Sequence, residues 1–297
     1  MEHEPVLAAE VVRLLRPERG GVYADCTVGM GGHSRALLDA GAKRIIALDR
    51  DPDAIERSRQ TLAAWSEQVD LVHADYRSID VVLDRLGVSL LDGALADLGV
   101  SSWQLEASGR GFSFQRDEPL DMRMDRSVGE SAASLVARST ERELADIIFQ
   151  YGEERYSRRI ARAIVDKRRE APVASTGCLA AIVRAATPRR GSTRIDPATR
   201  TFQAIRIWVN RELEGLDRFL ETAVRRLRSG ARLAVIAFHS LEDRIVKHTF
   251  RALERSGGLV TVLTKKPITP TEAEIARNPR ARSAKLRVAE RVGHGTV

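Results

Sequence analysis

The chain has 297 residues, 43% of them hydrophobic, and a formal net charge of +7. That length gives one large or two modest domains with a real core. With no apolar run of 18 residues, the sequence argues against a helical membrane span. The start, Met1-Glu2-His3-Glu4-Pro5, is acidic and lacks the apolar segment of a secretory signal. Cys26 and Cys178 have no metal-ligand spacing. They fit two unpaired thiols in a reducing compartment, so a cytoplasmic protein without a metal site is expected.

The charge is uneven. Residues 1–100 carry 11 Lys/Arg against 17 Asp/Glu, residues 153–200 carry 12 against 5, and residues 265–297 carry 8 against 3. An acidic first third with two basic segments suggests separate tasks, and basic surface attracts polyanions such as nucleic acid. Arg189, Arg190 and Arg194, in a basic loop from Pro188 to Thr199, are candidates for phosphate contacts. A merely solvated Arg-rich face is the alternative.

In chain order, Val6–Leu15 reads as an amphipathic helix and Val22–Cys26 as a short strand. The glycine-rich Thr27-Val28-Gly29-Met30-Gly31-Gly32 follows, then a helix from about His33 to Ala40. Arg44–Leu48 is a buried strand closed by Asp49, and Pro52 suits the first turn of a helix reaching Trp65. Val69–His73, a helix over Ile79–Leu86, and the strand Leu91–Ala96 closed by Asp97 complete a repeated β-α pattern. Such repeats predict a parallel, doubly wound sheet.

From Ser101 to Asp125 the sequence is loop, and from about Glu130 to Ala186 it is helical, with amphipathic stretches at Glu141–Tyr151 and Glu154–Arg169. The alternating pattern then returns. A long helix is predicted over Thr201–Arg228, then the strand Arg232–Phe238, a helix over Leu241–Arg255, and strand-like runs at Leu259–Leu263 and Leu286–Arg291. The economical reading is a helical domain, 106–200, inserted into an α/β domain formed by 1–105 and 201–297.

A glycine turn after the first strand lets the backbone approach a ligand, and the following helix offers free N–H groups. Here Gly29-x-Gly31 is present, but Ser34 stands where a dinucleotide fingerprint needs its third glycine. The run Asp25–Gly32 instead fits the methyltransferase form, D-x-T-x-G-x-G-G. A carboxylate at Asp49, ending the second strand, is placed for ribose hydroxyls, an arrangement that NAD sites share. Asp75-Tyr76 follow the third strand, where an acid and a ring can hold adenine, and Asp97 ends the fourth.

Several longer runs are distinctive. They are Asp97-Leu98-Gly99-Val100-Ser101-Ser102-Trp103-Gln104-Leu105, Arg110-Gly111-Phe112-Ser113-Phe114 and Pro119-Leu120-Asp121-Met122-Arg123-Met124-Asp125. Thr201-Phe202-Gln203-Ala204-Ile205-Arg206-Ile207, Phe238-His239-Ser240-Leu241-Glu242-Asp243-Arg244 and Asn278-Pro279-Arg280-Ala281-Arg282-Ser283 complete the set. Together they closely resemble the bacterial RsmH (MraW) family, from His3-Glu4-Pro5-Val6-Leu7 nearly to the end of the chain.

The resemblance implies a doubly wound, Rossmann-like class I methyltransferase sheet with an inserted helical substrate-recognition domain. It also implies an S-adenosyl-L-methionine-dependent enzyme of the cytoplasm that methylates the exocyclic N4 amine of one cytidine in the decoding centre of 16S rRNA. The implied cofactor contacts are Gly31, Gly32, His33, Asp49, Tyr76, Asp97 and Gln104. Tyr76 stands where the family commonly has Phe, which keeps the ring. Trp103 stands where it usually has Pro, which puts the turn before Gln104 in question.

A cytosine amine is a poor nucleophile because its lone pair is delocalised into the ring. A site for it needs acceptors for the amine hydrogens and stabilisation of the positive charge that develops on nitrogen. The target base must also leave its stack. Asp97 and His239 are the candidates to hold the amine. Asp97 as a cofactor ligand alone, and His239 as a helix cap, are the alternatives. Phe112 and Phe114 either stack on a base or belong to local core. Monomer and homodimer are both open. The competing function is a cofactor-gated RNA-binding factor of ribosome assembly without turnover. A methyltransferase for DNA or a small molecule is disfavoured by the basic segments.

Overall fold

The computed structural model describes residues 5–107, 109–188, 196–256 and 258–293. Arg189, Arg190 and Arg194, and the His3-Glu4 start of the resemblance, lie outside the described residues. The chain divides into two compact units, Met1–Gly99 with Leu213–Val297, and Val100–Glu212.

The first unit holds seven strands: β1 (Val22–Asp25), β2 (Arg44–Asp49), β3 (Val69–His73), β4 (Leu91–Asp97), β5 (Leu227–Ala237), β6 (Val260–Val262) and β7 (Lys285–Arg291). They form one sheet in the order β3-β2-β1-β4-β5-β7-β6. β1 to β5 pair in parallel, with Ala24 opposite Ile46 on one side and Ala94 on the other. The parallel pattern predicted from the β-α repeats holds for these strands, and one later strand departs from it. β7 runs antiparallel to both β5 and β6.

The central strands bury both faces, which is why they read as continuous apolar runs rather than as alternation. Alternate residues still separate. Ile46, Leu48, Ala94 and Leu233 pack with Phe219, Leu220 and Phe250, whereas Ile45, Ala47, Leu95 and Ala234 pack with Val11, Leu15 and Leu37. Helices therefore cover both faces, as a doubly wound, Rossmann-like sheet requires. Each fully buried Leu or Ile contributes about 1.5–3 kcal/mol.

The second unit is helical. Its helices are Ser102–Glu106, Ala132–Arg138, Glu141–Gly152, Ser157–Glu170, Thr176–Ala186 and Ala198–Asn210. Its core gathers Leu144, Ile148, Ile160, Ile164, Leu179, Val183, Phe202 and Ile205. Gly152 marks a close approach, since a Cβ there would lie 2.6 Å from the Arg200 carbonyl oxygen.

The boundaries of the helical unit therefore differ from the expected 106 and 200. The cause is visible at both ends. Phe202 and Ile205 bury into the helical core, and Val100 and Leu105 pack against it. The single helix expected over Thr201–Arg228 is two helices, Ala198–Asn210 and Leu216–Arg225. The break falls at Arg211, whose backbone turns left-handed (φ 50°) while its N–H returns to the Ile207 carbonyl. Phe112 is buried in the helical core, and the Phe114 ring meets Phe202 edge-on at 4.8 Å. Both rings thus follow the local-core alternative. No helix of the described residues is long and apolar enough to cross a membrane.

Candidate cofactor site

At the carboxyl edge of the α/β unit, three strand ends are tied together by acids. Asp25, closing β1, is buried. It accepts from the Ser34 hydroxyl at 2.7 Å and from the Thr27 N–H at 3.3 Å. Burial raises its pKa, with the Ser34 and Thr27 bonds opposing. Asp25 therefore shapes the turn rather than facing a ligand. Gly29 and Gly31 both take left-handed backbone (φ 51° and 83°), and Gly31 begins the helix Gly32–Asp39 without any side-chain cap. Gly32 and His33 thus stand in a first turn whose N–H groups point out of the helix.

Asp49, closing β2, accepts from the Gly29 N–H at 2.9 Å through Oδ2 and from the Asp51 N–H at 2.8 Å through Oδ1. It thereby pins the glycine turn from the neighbouring strand. Each oxygen retains a second lone pair for a ligand hydroxyl. Burial pushes the Asp49 pKa up to about 6, although the two backbone bonds oppose the shift.

After β3, Asp75 is not free for adenine. Its oxygens accept from Arg77 Nε at 2.8 Å and Nη2 at 2.6 Å. Burial acts to raise its pKa, but the Arg77 and Arg50 guanidiniums outweigh it and hold the carboxyl below its usual range. Tyr76 is half-buried, with its ring tilted against Phe219 at 4.6 Å.

Asp97, closing β4, donates its N–H to Thr27 Oγ1 at 2.6 Å. Its Oδ2 lies 3.6 Å from His33 Nε2, an electrostatic contact rather than a hydrogen bond. Burial opposes charge on the His33 ring, but Asp97 and Asp25 outweigh it, so His33 titrates above its ordinary value. Asp97 Oδ1 is buried and without a partner among the described residues, and so is His33 Nδ1. A buried acceptor left unmatched costs about 1–3 kcal/mol unless a ligand satisfies it. This acceptor and the uncapped helix start fit a cationic, hydroxyl-bearing group such as S-adenosyl-L-methionine.

His239 follows β5, next to β4 in the sheet. It caps the helix Ser240–Arg255, with Nδ1 accepting from the Glu242 N–H at 3.4 Å. Glu242 reciprocates by accepting the Phe238 N–H at 3.0 Å. Gln104 belongs to the helical unit, where it is buried. It forms a capping box with Ser101: its Oε1 accepts the Ser101 N–H at 2.9 Å, and its N–H reaches Ser101 Oγ at 3.2 Å. The helix therefore starts normally with Trp103 in place of the usual proline.

The structure thus brings together Gly31, Gly32, His33, Asp49 and Asp97 around one turn. Thr27 is the residue that sequence reasoning passed over. Its place in D-x-T was the available signal, because a hydroxyl two residues beyond β1 can reach the neighbouring strand end.

The model for the MraW methylase family matches residues 1–292. Ribosomal RNA small subunit methyltransferase H of Nitratidesulfovibrio vulgaris strain Miyazaki F is 50% identical over 314 residues, covering 99% of this chain and 86% of its own. The protein of the same name from Geotalea uraniireducens is 47% identical and covers 98% of each chain, and that from Methylobacterium sp. 4-46 is 51% identical over 97% and 90%. A solved SAM-dependent O-methyltransferase from Thermotoga maritima superposes with a TM-score of 0.44 at 10% identity, covering 100% of this chain and 69% of its own, too remote to carry an argument. With a family match along nearly the whole chain and about half of its residues shared with near full-length relatives, this chain belongs to the MraW methylase family, and it is a methyltransferase that uses S-adenosyl-L-methionine.

Proposed function

We propose that this methyltransferase transfers the methyl group of S-adenosyl-L-methionine to the exocyclic N4 amine of a cytidine in the decoding centre of 16S rRNA, in the small ribosomal subunit of the cytoplasm. The relatives' names support the RNA class, and the long motifs around Asp97, Phe112, Met122 and His239 support the finer target. The observation that carries the chemistry is the unmatched, buried Oδ1 of Asp97 beside His33 at the end of β4. An acceptor in that position suits an N–H or a developing positive charge.

The transfer is an in-line displacement. S-adenosyl-L-methionine, when bound, would supply a methyl group from its sulfonium; the amine lone pair would form the new C–N bond as the S–CH3 bond broke, and a neutral thioether would leave. The amine nitrogen becomes cationic and then releases a proton to solvent. Gly31, Gly32 and His33 offer the uncapped helix turn, Asp49 the ribose acceptor, and Tyr76 and Gln104 further cofactor contacts. Asp97 steadies the amine and its growing charge. His239, already engaged as a helix cap, is the weaker candidate for that task. The α/β unit is the methyltransferase domain, and the helical unit is the substrate-recognition domain.

The test is transfer of radiolabelled methyl from S-adenosyl-L-methionine to small subunits, followed by digestion to nucleosides. Label recovered as N4-methylcytidine supports the reading. Label on ring carbon or ribose oxygen overturns the N4 assignment. RNA binding with no transfer replaces the reading with an assembly factor that binds without turnover.

A further inference from the structure

The helical unit carries an aromatic side chain where water should be. Phe149 is 61% exposed on the helix Glu141–Gly152, the most exposed aromatic ring among the described residues. Isolated exposed apolar groups are common, so its neighbours decide its meaning. The helix Glu141–Gly152 packs on Ser157–Glu170 through Leu144, Ile148, Ile160 and Ile164. Their relative register is marked by an ion pair between Arg162 Nε and Glu141 Oε1 at 3.4 Å.

That pair aligns two stripes. Glu141, Ala145 and Phe149 follow at four-residue intervals on one helix; on the other, Arg158 lies one turn before Arg162, and Arg155 lies in the turn that joins the two helices. Phe149 therefore stands at the end of the pair where Arg155 and Arg158 lie. Both arginines are exposed. Three other cations on the two helices are paired: Arg142 with Asp146, Lys167 with Glu170 and Arg169 with Asp166. Arg155 and Arg158 have no acidic partner among the described residues, and Arg155 lies over the Tyr156 ring at 4.7 Å.

An exposed ring at the same end of a helix pair as two unneutralised guanidiniums has the chemistry of a single-stranded nucleic-acid surface. A base stacks on the ring whatever its identity, while phosphates meet the cations. We propose that Phe149, Arg155 and Arg158 form a docking surface for an unpaired stretch of RNA, a contact separate from the strand-end site. This rests on the RNA reading above for the choice of polyanion. An apolar partner, including a second copy of this chain, fits poorly against unpaired arginines, whereas an RNA strand matches both groups.

The experiment measures binding of a fluorescent single-stranded fragment of 16S rRNA to the full chain across a salt series, for wild type, Phe149→Ala, and the double variant Arg155→Gln with Arg158→Gln. All three side chains are exposed or partly so, and unchanged thermal unfolding checks the fold. Phe149→Ala is expected to weaken binding about 10-fold with little change in salt dependence. The double variant is expected to lower the slope of log affinity against log salt by about 1.4, two phosphate contacts to a single strand. Cofactor affinity stays unchanged in both. Wild-type RNA affinity and slope in both variants overturn the surface, as does a wild type that does not bind the fragment. A shift from dimer to monomer in sedimentation, with RNA affinity intact, assigns the patch to self-association instead. Methyl transfer to small subunits is scored separately, so active variants with normal RNA binding sink this surface while leaving the proposed reaction standing.

Discussion

The two units use their charged residues in opposite ways. In the α/β unit the acids at the strand ends turn inward: Asp25 and Asp49 accept backbone N–H groups from the glycine turn, and Asp97 faces His33. In the helical unit several charged pairs lie on the surface, within a helix or between neighbouring ones, as Arg162 with Glu141 and Arg169 with Asp166. Burial makes the first kind expensive to disturb, because a desolvated charge cannot fall back on water. Exposure makes the second kind nearly interchangeable. Function is therefore to be sought where the buried set is left incomplete, at Asp97 Oδ1, and where the exposed set is left unneutralised, at Arg155 and Arg158.

Asp97→Asn tests the incomplete buried site most severely. The amide keeps the shape and one oxygen but removes the charge. That charge matters more when nitrogen becomes cationic than in the ground state. Single-turnover methyl transfer at saturating RNA and cofactor is expected to slow roughly 100-fold or more. The His33 pKa should fall in the same variant, because its nearest carboxylate is gone. A rate within about threefold of wild type, with cofactor affinity lost instead, would make Asp97 only a cofactor ligand.

Asp49→Ala removes an acceptor and also releases the Gly29 turn. S-adenosyl-L-methionine binding is expected to weaken by about 1–3 kcal/mol, the scale of a hydrogen bond to a charged group, as read by calorimetry. pH sharpens the point. The Asp49 carboxyl binds its proton up to about pH 6 in the fold, against an ordinary value of 3.8. Between those values the folded chain holds more protons than the unfolded one, so this group favours folding as pH falls through the window. Cofactor affinity is expected to move the other way, declining below about pH 6 as the carboxylate is lost. Asp49→Asn should remove that inflection.

Gly152→Ala asks whether the helical unit has an equally unforgiving interior. Alanine normally stabilises a helix by up to about 1 kcal/mol over glycine. Here the added Cβ would meet the Arg200 carbonyl at 2.6 Å. A net loss of about 1–2 kcal/mol is expected from thermal unfolding, since overpacking costs about 1–3. A gain in stability would show that the contact relaxes freely. The smallest effect is expected for Arg162→Ala, which breaks an exposed pair and should change stability by no more than about 0.5 kcal/mol. A loss of several kcal/mol in chemical denaturation would erase the contrast between the two units.

Strand ends were legible in the sequence where a local pattern and an acid coincide, as at Asp25, Asp49 and Asp97. There the short-range chemistry of a glycine turn and the long-range needs of the sheet agree. Other features were not. Nothing local in Lys285–Arg291 says that β7 runs against its neighbours, because strand direction is settled by the connection and the partner rather than by the strand itself. The break at Arg211 was hidden for a related reason. An arginine is an ordinary helix former, and only its surroundings place it in left-handed backbone. Phe112 and Phe114 had two readings in a loop, and burial against the helical core separates them.

The sequence by itself determined the alternating β-α pattern, the glycine turn, the acids beyond the strands and the helical interruption, because periodicity and turn chemistry act over a few residues. Tertiary structure alone decided which of those acids are already satisfied. It gave Asp75 to Arg77, used Asp49 to pin the glycine turn with a lone pair left on each oxygen, and left one oxygen of Asp97 buried without a partner among the described residues. The reason is physical. A side chain's hydrogen bonds and desolvation depend on groups tens of residues away, such as Thr27 reaching Asp97 across 70 positions, and no local pattern records them.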